Sequence, residues 1–149
     1  MFECIIVGDT GSGNDDQIKV AKSMNKLISK NHIETVIIVG DNIYPDGCDS
    51  VDDEQFITKF QDPYKNIKLP FYLCLGNHDY GTMINDFSDT QVKYTYSKFN
   101  TDQKWNMPKK WYSQQFPLCD FFFIDTNFEW LSESVIQKQL RDTIQAILN

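Results

Sequence analysis

The chain has 149 residues, enough to bury a hydrophobic core, and this length predicts a single domain spanning residues 1–149. Hydrophobic residues make up 41% and aromatic residues 14% of the chain, a composition that excludes intrinsic disorder. The formal net charge of −7 argues against nucleic acid as a partner. Arg141 is the only arginine, which argues against a planar arginine clamp for phosphate.

Cysteine spacing and hydropathy argue against several kinds of site and segment. The four cysteines form no C-x-x-C pair, so neither a zinc ribbon nor a thioredoxin-like redox site is expected. The apolar run Phe2–Val7 is too short and too acidic for a signal peptide, and no apolar stretch is long enough to cross a bilayer. We therefore expect a soluble chain with no membrane partner, cytoplasmic by default.

The N-terminal third of the sequence predicts a βαβ unit. A buried strand over Cys4–Val7 leads to a helix near Asp15–Ser29, which Asn14 can cap with Gln17 in the capping-box position. A second strand, Thr35–Val39, completes the unit. Apolar residues at helical spacing predict the buried stripe of the helix, namely Val20, Met24, Leu27 and Ile28.

Further elements follow in chain order. A short helix is expected near Asp53–Phe60 and a strand over Phe71–Leu75. Trp111–Phe116 and Phe121–Asp125 predict two strands joined by a turn, and a helix over Glu133–Ile147 closes the chain. The apolar face of that helix is made of Ile136, Leu140 and Ile144. The pattern predicts an α/β fold, a parallel sheet with flanking helices.

Three polar motifs stand directly after the first three apolar strands. They are G-D-T-G at 8–11, G-D-N-I-Y at 40–44 and G-N-H-D-Y at 76–80. In an open parallel sheet, ligands bind beyond the carboxyl ends of the strands, so the three motifs are expected to meet at one edge. The side chains delivered there are Asp9, Asp41, Tyr44, Asn77 and His78.

Most of these side chains are hard oxygen donors. Two carboxylates, a phenolate and an amide carbonyl suit iron, manganese, magnesium or zinc. A carboxylate that bridges two cations gives the two-metal geometry of phosphatases and nucleases.

These residues also have interpretations that involve no metal. An aspartate after a strand often caps the next helix, and Tyr44 can be a packed loop aromatic. His32 is expected to be a solvated loop residue.

The three motifs together resemble the first three motif blocks of calcineurin-like metallophosphoesterases. The tyrosine at position 44, W-N-M-P at 105–108 before Trp111-Tyr112, and F-I-D-T at 123–126 are similar to the purple (tartrate-resistant) acid phosphatase branch. The resemblance covers essentially the whole chain and implies a metallophosphoesterase-type sheet with flanking helices. It also implies a binuclear metal centre of iron with iron, zinc or manganese.

The resemblance assigns roles to individual residues. It implies that Asp9 and Tyr44 bind a trivalent iron, that Asp41 bridges to a second, divalent metal, and that Asn77 binds that second metal. It further implies that His78 contacts the substrate phosphate and can protonate the leaving group, oriented by Asp79. The activity implied is hydrolysis of phosphomonoesters, on a phosphorylated small molecule or a phosphoprotein.

The histidine content departs from the family pattern. The remaining metal ligands of the family are histidines in later motif blocks, whereas this chain contains only His32 and His78. The chain therefore resembles the N-terminal half of such an enzyme, with the second half of the fold missing. Two alternatives stay open: a truncated, non-catalytic domain, or one half of a split phosphatase that needs another chain for its histidines. Self-association or binding of a complementing C-terminal fragment is expected.

Overall fold

A parallel sheet of four strands lies at the centre of the computed structural model, which describes residues 1–82 and 84–148. Its strands, in spatial order, are β1 (Cys4–Val7), β2 (Thr35–Val39), β3 (Phe71–Cys74) and β4 (Trp105–Asn106). A separate antiparallel hairpin consists of β5 (Tyr112–Phe116) and β6 (Cys119–Phe123). The helices are α1 (Asp15–Ile28), α2 (Ser88–Thr95) and α3 (Glu133–Leu148). The expected α/β class is confirmed.

The register of the sheet brings the strand ends level with one another. Val7 pairs with Ile38, and Ile38 pairs with Leu73. Because all three strands run in the same direction, the residues that follow them emerge at one edge of the sheet. This arrangement places the three polar motifs side by side, as their positions in the sequence predict.

The hydrophobic core lies against one face of the sheet. Val36, Ile38 and Leu73 from the strands pack with Ala21 and Met24 of α1. Aromatic side chains fill the rest of this layer, and the stacked pair Phe56–Tyr94, the edge-on pair Phe60–Trp105 and Tyr64 belong to it. The aromatic layer surrounds a π-helical turn at Ile57–Gln61, where the sequence predicted a short helix slightly earlier in the chain.

The hairpin covers part of the opposite face. Tyr72 of β3 contacts Phe116 of β5 and Phe123 of β6, with ring centroids 5.5 and 6.4 Å apart. Tyr112 stacks on Phe123 at 4.4 Å and donates a hydrogen bond to the Leu73 carbonyl at 2.9 Å. The predicted pair of late strands is therefore confirmed, although β6 begins and ends two residues earlier than expected.

The predicted buried stripe of α1 is confirmed in part. Met24 is buried and Ile28 packs against the core, whereas Val20 and Leu27 are 42% and 47% exposed. The inner face is shifted towards Ala21 and a polar Gln17, whose amide is fully hydrogen-bonded there. Asn14 caps the helix as predicted, accepting from two backbone N–H groups, but the Gln17 amide reaches Gly13 instead of Asn14.

Helix α3 is confirmed close to its predicted bounds, and much of its apolar face is exposed. Leu140 and Ile144 are each 56% exposed, and Ile136 is partly buried. The helix is instead anchored by Gln139, which exchanges two hydrogen bonds of 2.9 Å with the backbone of Asp125. A polar anchor thus decides which side of α3 faces the protein. In the described part of the chain, no helix is both long and apolar enough to cross a membrane.

Two elements went unpredicted. Helix α2 contains few apolar residues, and β4 has only two residues, so neither produces a clear periodic pattern. Both are nonetheless firmly attached to the sheet. Trp105 of β4 is fully buried and donates its indole N–H to the Gln91 carbonyl of α2 at 3.1 Å.

Candidate metal and phosphate site

The first two motifs place their aspartates in an unusual backbone conformation. Asp9 follows β1 with φ of 57°, and Asp41 follows β2 with φ of 53°. Both values lie in the left-handed region, which residues other than glycine adopt at a cost. Strained backbone of this kind is typical of functional sites. The two turns are joined by backbone hydrogen bonds from Asp9 to Gly40 and from Gly11 to Asp41.

Tyr44 connects the two aspartates. Its hydroxyl oxygen lies 2.9 Å from Asp9 Oδ1 and 2.7 Å from Asp41 Oδ2. Burial raises the pKa of the Tyr44 phenol well above its ordinary value, and hydrogen bonds to Asp41 and Asp9 raise it further. A single phenol proton is therefore shared between two carboxylates. The arrangement concentrates negative charge around one point that a cation would neutralise.

The turn that carries the third motif packs against Asp41 at Gly76. A β-carbon on Gly76 would stand only 2.1 Å from Asp41 Oδ1, so only glycine fits at that position. The backbone N–H of His78 then donates to the same Asp41 oxygen at 3.1 Å. Asp41 is thus fixed from one side by Tyr44 and from the other by the turn that carries His78.

The His78 imidazole lies beside the Tyr44 ring. Its ring is 4.5 Å from that of Tyr44, and Nδ1 lies 2.6 Å from the Pro45 carbonyl oxygen. A carbonyl oxygen can only accept, so Nδ1 carries a proton and Nε2 is left for another partner. Asn77 precedes His78 in the same turn and its side chain is exposed.

Asp79 is completely buried and joins the second and third motifs. Its carboxylate accepts hydrogen bonds from backbone N–H groups of Asn42, Ile43 and Gly76 at 2.8–3.1 Å. Gln91 of α2 donates to it at 2.7 Å. Burial raises the pKa of Asp79 to about 6, against the lowering effect of these donors. The predicted role of Asp79 in orienting the His78 ring stays a prediction, since its bonds run to the backbone of both loops.

Sequence reasoning missed several residues that support the site. Pro45 supplies the carbonyl that holds the His78 ring, Gln91 completes the Asp79 network, and Lys59 donates to the Tyr44 carbonyl. Gln91 and Lys59 lie outside the three motifs and carry no local signal. Pro45 follows the second motif directly, so only its proximity to that motif was available as a signal. His32, expected to be a solvated loop residue, is exposed before β2, at the end of the strand away from the site.

The side chains that meet at the site could supply the oxygen ligands of one hard cation. Asp9, Asp41 and Tyr44 converge, and their oxygens are the ligands that a trivalent iron prefers. In residues 1–82 and 84–148, no group of three or more histidine, cysteine, aspartate or glutamate side chains is arranged to hold a metal ion. Among these residues a second cation would find at most one imidazole, the Nε2 side of His78, because His32 lies before β2 at the end away from the site.

Comparison with known proteins agrees with this geometry. The family model for calcineurin-like phosphoesterases matches residues 3–147. Among curated proteins, the chain is 34% identical over 131 residues to purple acid phosphatase 7 of Arabidopsis thaliana, covering 83% of this chain and 36% of that protein. It is 29% identical over 99 residues to tartrate-resistant acid phosphatase type 5 of Oryctolagus cuniculus, covering 64% and 28%.

A solved structure supports the fold independently. The chain superposes with a TM-score of 0.73, at 21% identity, on the structure described as GAP50, the anchor in the inner membrane complex of Plasmodium. The alignment covers 95% of this chain and 48% of that one. The chain spans about a third of the length of the curated relatives that it matches. The match over 3–147, with the motif geometry above, shows that this chain belongs to the calcineurin-like phosphoesterase family.

Proposed function

We propose that this chain carries the oxygen-ligand and phosphate-contacting part of a metal-dependent phosphomonoester hydrolase of the acid phosphatase type. The observation that carries the proposal is the position of Tyr44, whose hydroxyl bonds the carboxylates of both Asp9 and Asp41. Its relatives include purple and tartrate-resistant acid phosphatases. Two carboxylates and a phenol held this close together form an oxygen-rich site whose negative charge a bound cation would neutralise.

Each proposed ligand follows from its place in the motifs. Asp9 and Tyr44 would hold a trivalent iron, Asp41 would bridge to a divalent iron, zinc or manganese, and Asn77 would hold that second metal. When bound, such a pair supplies an activated water and neutralises charge on the phosphoryl oxygens. To bind such a cation, the Tyr44 hydroxyl would have to give up the proton that it now donates to Asp9 and Asp41.

His78 is the residue of this chain best placed to act on substrate. With Nδ1 donating to the Pro45 carbonyl, the ring is oriented and Nε2 can accept from or donate to a bound phosphate. In the doubly protonated ring, Nε2 also carries a proton that it can transfer to the leaving oxygen. The role is therefore that of a phosphate contact and general acid.

A cavity opens on the Asp9 side of the site, against the start of α1, and His78 is not among its lining residues. Its volume is about 420 Å³, and Asp9, Tyr44, Thr10 and Ser12 line it. This volume lies within the range of small-molecule pockets. We propose a phosphorylated small molecule or an exposed phosphate on a protein as substrate.

The histidine count favours a second candidate function. Only His32 and His78 occur in the sequence. Catalytic zinc and iron sites commonly include two or three histidine ligands, and this chain has only one histidine near the site. The chain would then be one half of a split phosphatase completed by a second polypeptide, or a binding domain without catalysis of its own.

Metal titration and a phosphatase assay test the proposal together. After purification and dialysis, we expect weak binding of Fe(III) and little hydrolysis of a chromogenic phosphomonoester at acid pH by this chain alone. Hydrolysis should rise when a fragment bearing family histidine motifs is added, and Asp41→Ala should abolish the rise. Two tightly held irons per chain with a purple colour would contradict the expected weak binding. Absence of any Fe(III) binding would contradict the proposed function itself.

A further inference from the structure

Lys59 contacts the site from outside the three motifs. It lies in the π-helical turn Ile57–Gln61, and its ammonium donates to the Tyr44 carbonyl and, at 2.6 Å, to Gln55 Oε1. The side chain is only partly exposed. A hydrogen bond from a charged donor is stronger than one between neutral groups, so this contact holds the Tyr44 peptide firmly.

The same residue is attached to the first motif loop. The buried Gln17 amide donates to the Lys59 carbonyl at 2.6 Å and accepts from the Gly13 N–H at 2.7 Å. The aliphatic stem of Lys59 also lies against Gly13, where an added β-carbon would stand 3.1 Å from its Cγ. Lys59 therefore connects the loop that carries Asp9 with the loop that carries Tyr44.

The Tyr44 residue is thereby held at both ends of its backbone. Its N–H donates to the Gly11 carbonyl at 3.0 Å, and its own carbonyl accepts from Lys59. With N–H and C=O both fixed, the side chain leaves the loop in a defined direction. Its hydroxyl can then reach Asp9 and Asp41 together.

We propose that Lys59 is a positioning residue, which fixes the backbone of Tyr44 so that the phenol is preorganised between Asp9 and Asp41. The inference rests on the proposed function only in taking the Tyr44 phenol to be a metal ligand. The positioning itself is a property of the polypeptide and can be measured without metal. Groups that orient a metal ligand typically change metal affinity by about tenfold or more when removed.

Three variants separate positioning from general stability. Lys59→Met keeps the apolar stem and removes the ammonium, and Lys59→Arg restores a charged donor. Lys104→Met is the control, because the Lys104 ammonium likewise donates to a backbone carbonyl, that of Tyr64 at 2.9 Å, away from the motifs. Lys104 is more deeply buried than Lys59 and also pairs with Asp102.

Hydrogen–deuterium exchange at the amides of Gly11 and Tyr44 tests the proposal without metal. We expect exchange at these amides to be at least about tenfold faster in Lys59→Met, with the core amides of β2 in the same sample reporting global unfolding. Lys59→Arg should restore protection and Lys104→Met should leave it unchanged relative to β2. Unchanged protection in Lys59→Met, or the same loss in Lys104→Met, would overturn the proposal.

An Fe(III) titration separates this proposal from the function proposed above. A phenolate bound to Fe(III) gives a visible charge-transfer band, and we expect about tenfold weaker binding in Lys59→Met with recovery in Lys59→Arg. If wild type binds no Fe(III) but the exchange result holds, the positioning role stands and the proposed function fails. If all variants bind Fe(III) equally and exchange is unchanged, the proposed function stands and the role of Lys59 is refuted.

Discussion

Gly76 and Asp41 approach so closely that a β-carbon on Gly76 would stand 2.1 Å from the Asp41 carboxylate and 2.3 Å from its backbone nitrogen. The contact joins the turn after β3 to the turn after β2. We expect Gly76→Ala to lower the free energy of unfolding by about 3 kcal/mol, since neither backbone can give way without breaking the turn. Urea denaturation measures the loss.

Gly8→Ala provides the matched control for that substitution. Its β-carbon would be tight only against the Val39 side chain, at 3.1 Å, since the nearest backbone atom is 3.9 Å away, and a side chain can shift. We expect a loss below about 1 kcal/mol. Equal losses for the two variants would show that the approach of Gly76 to Asp41 has no special importance.

Tyr44→Phe should separate binding from stability. The phenol bonds two carboxylates, of which Asp9 is exposed, so removing it should change the free energy of unfolding by about 1 kcal/mol or less. The visible band with Fe(III) should disappear. Tyr96→Phe is the control, since that exposed hydroxyl bonds only the Pro108 carbonyl. Persistence of the band in Tyr44→Phe would exclude Tyr44 as a ligand.

Asp79→Asn should be strongly destabilising. The substitution places an amide N–H against backbone N–H groups that now point at a carboxylate oxygen, among them those of Asn42 and Gly76. We expect a loss of about 3 kcal/mol, measured by urea denaturation. Asp53→Asn is the control, because the Asp53 carboxylate accepts hydrogen bonds from Gln55. We expect this substitution to lower the free energy of unfolding by about 1 kcal/mol. A loss for Asp79→Asn no larger than for Asp53→Asn would refute this role.

The exposed apolar stripe of α3 should promote self-association. Leu140 and Ile144 face solvent, and Ile147 and Leu148 continue the exposed surface. Exposed apolar area of this kind favours contacts between molecules. We expect wild type to self-associate at a protein concentration of about 50 µM. In sedimentation at that concentration, the double variant Leu140→Gln with Ile144→Gln should run as a smaller species than wild type. Arg141→Gln should behave as wild type, and a wild type that stays monomeric without binding a hydrophobic dye would contradict the expectation.

The sequence predicted the part of the fold that builds the site. Buried parallel strands are continuous apolar runs, so β1, β2 and β3 could be identified with nearly correct bounds. Their shared direction then required the three motifs to meet, and Asp9, Asp41 and Tyr44 do meet. These inferences succeeded because they needed only local pattern and topology.

Other features depend on contacts that leave no local pattern. Gln17 and Gln139 are buried because their amides find distant backbone partners, and apolar spacing alone does not place a glutamine on the inner face of a helix. Lys59 and Gln91 reach the site from elements far from the motifs in sequence. A hydrogen bond across that separation becomes visible only when the chain is folded.

The left-handed conformation of Asp9 and Asp41 sets two evolutionary pressures against each other. Glycine adopts this conformation without steric cost, whereas any other residue, aspartate included, adopts it at a cost of about 1 kcal/mol. A library selected for folding alone should therefore drift towards glycine there, whereas one selected for metal retention should keep aspartate. The residues found at positions 9 and 41 would therefore indicate whether selection still maintains the metal site, without an activity assay.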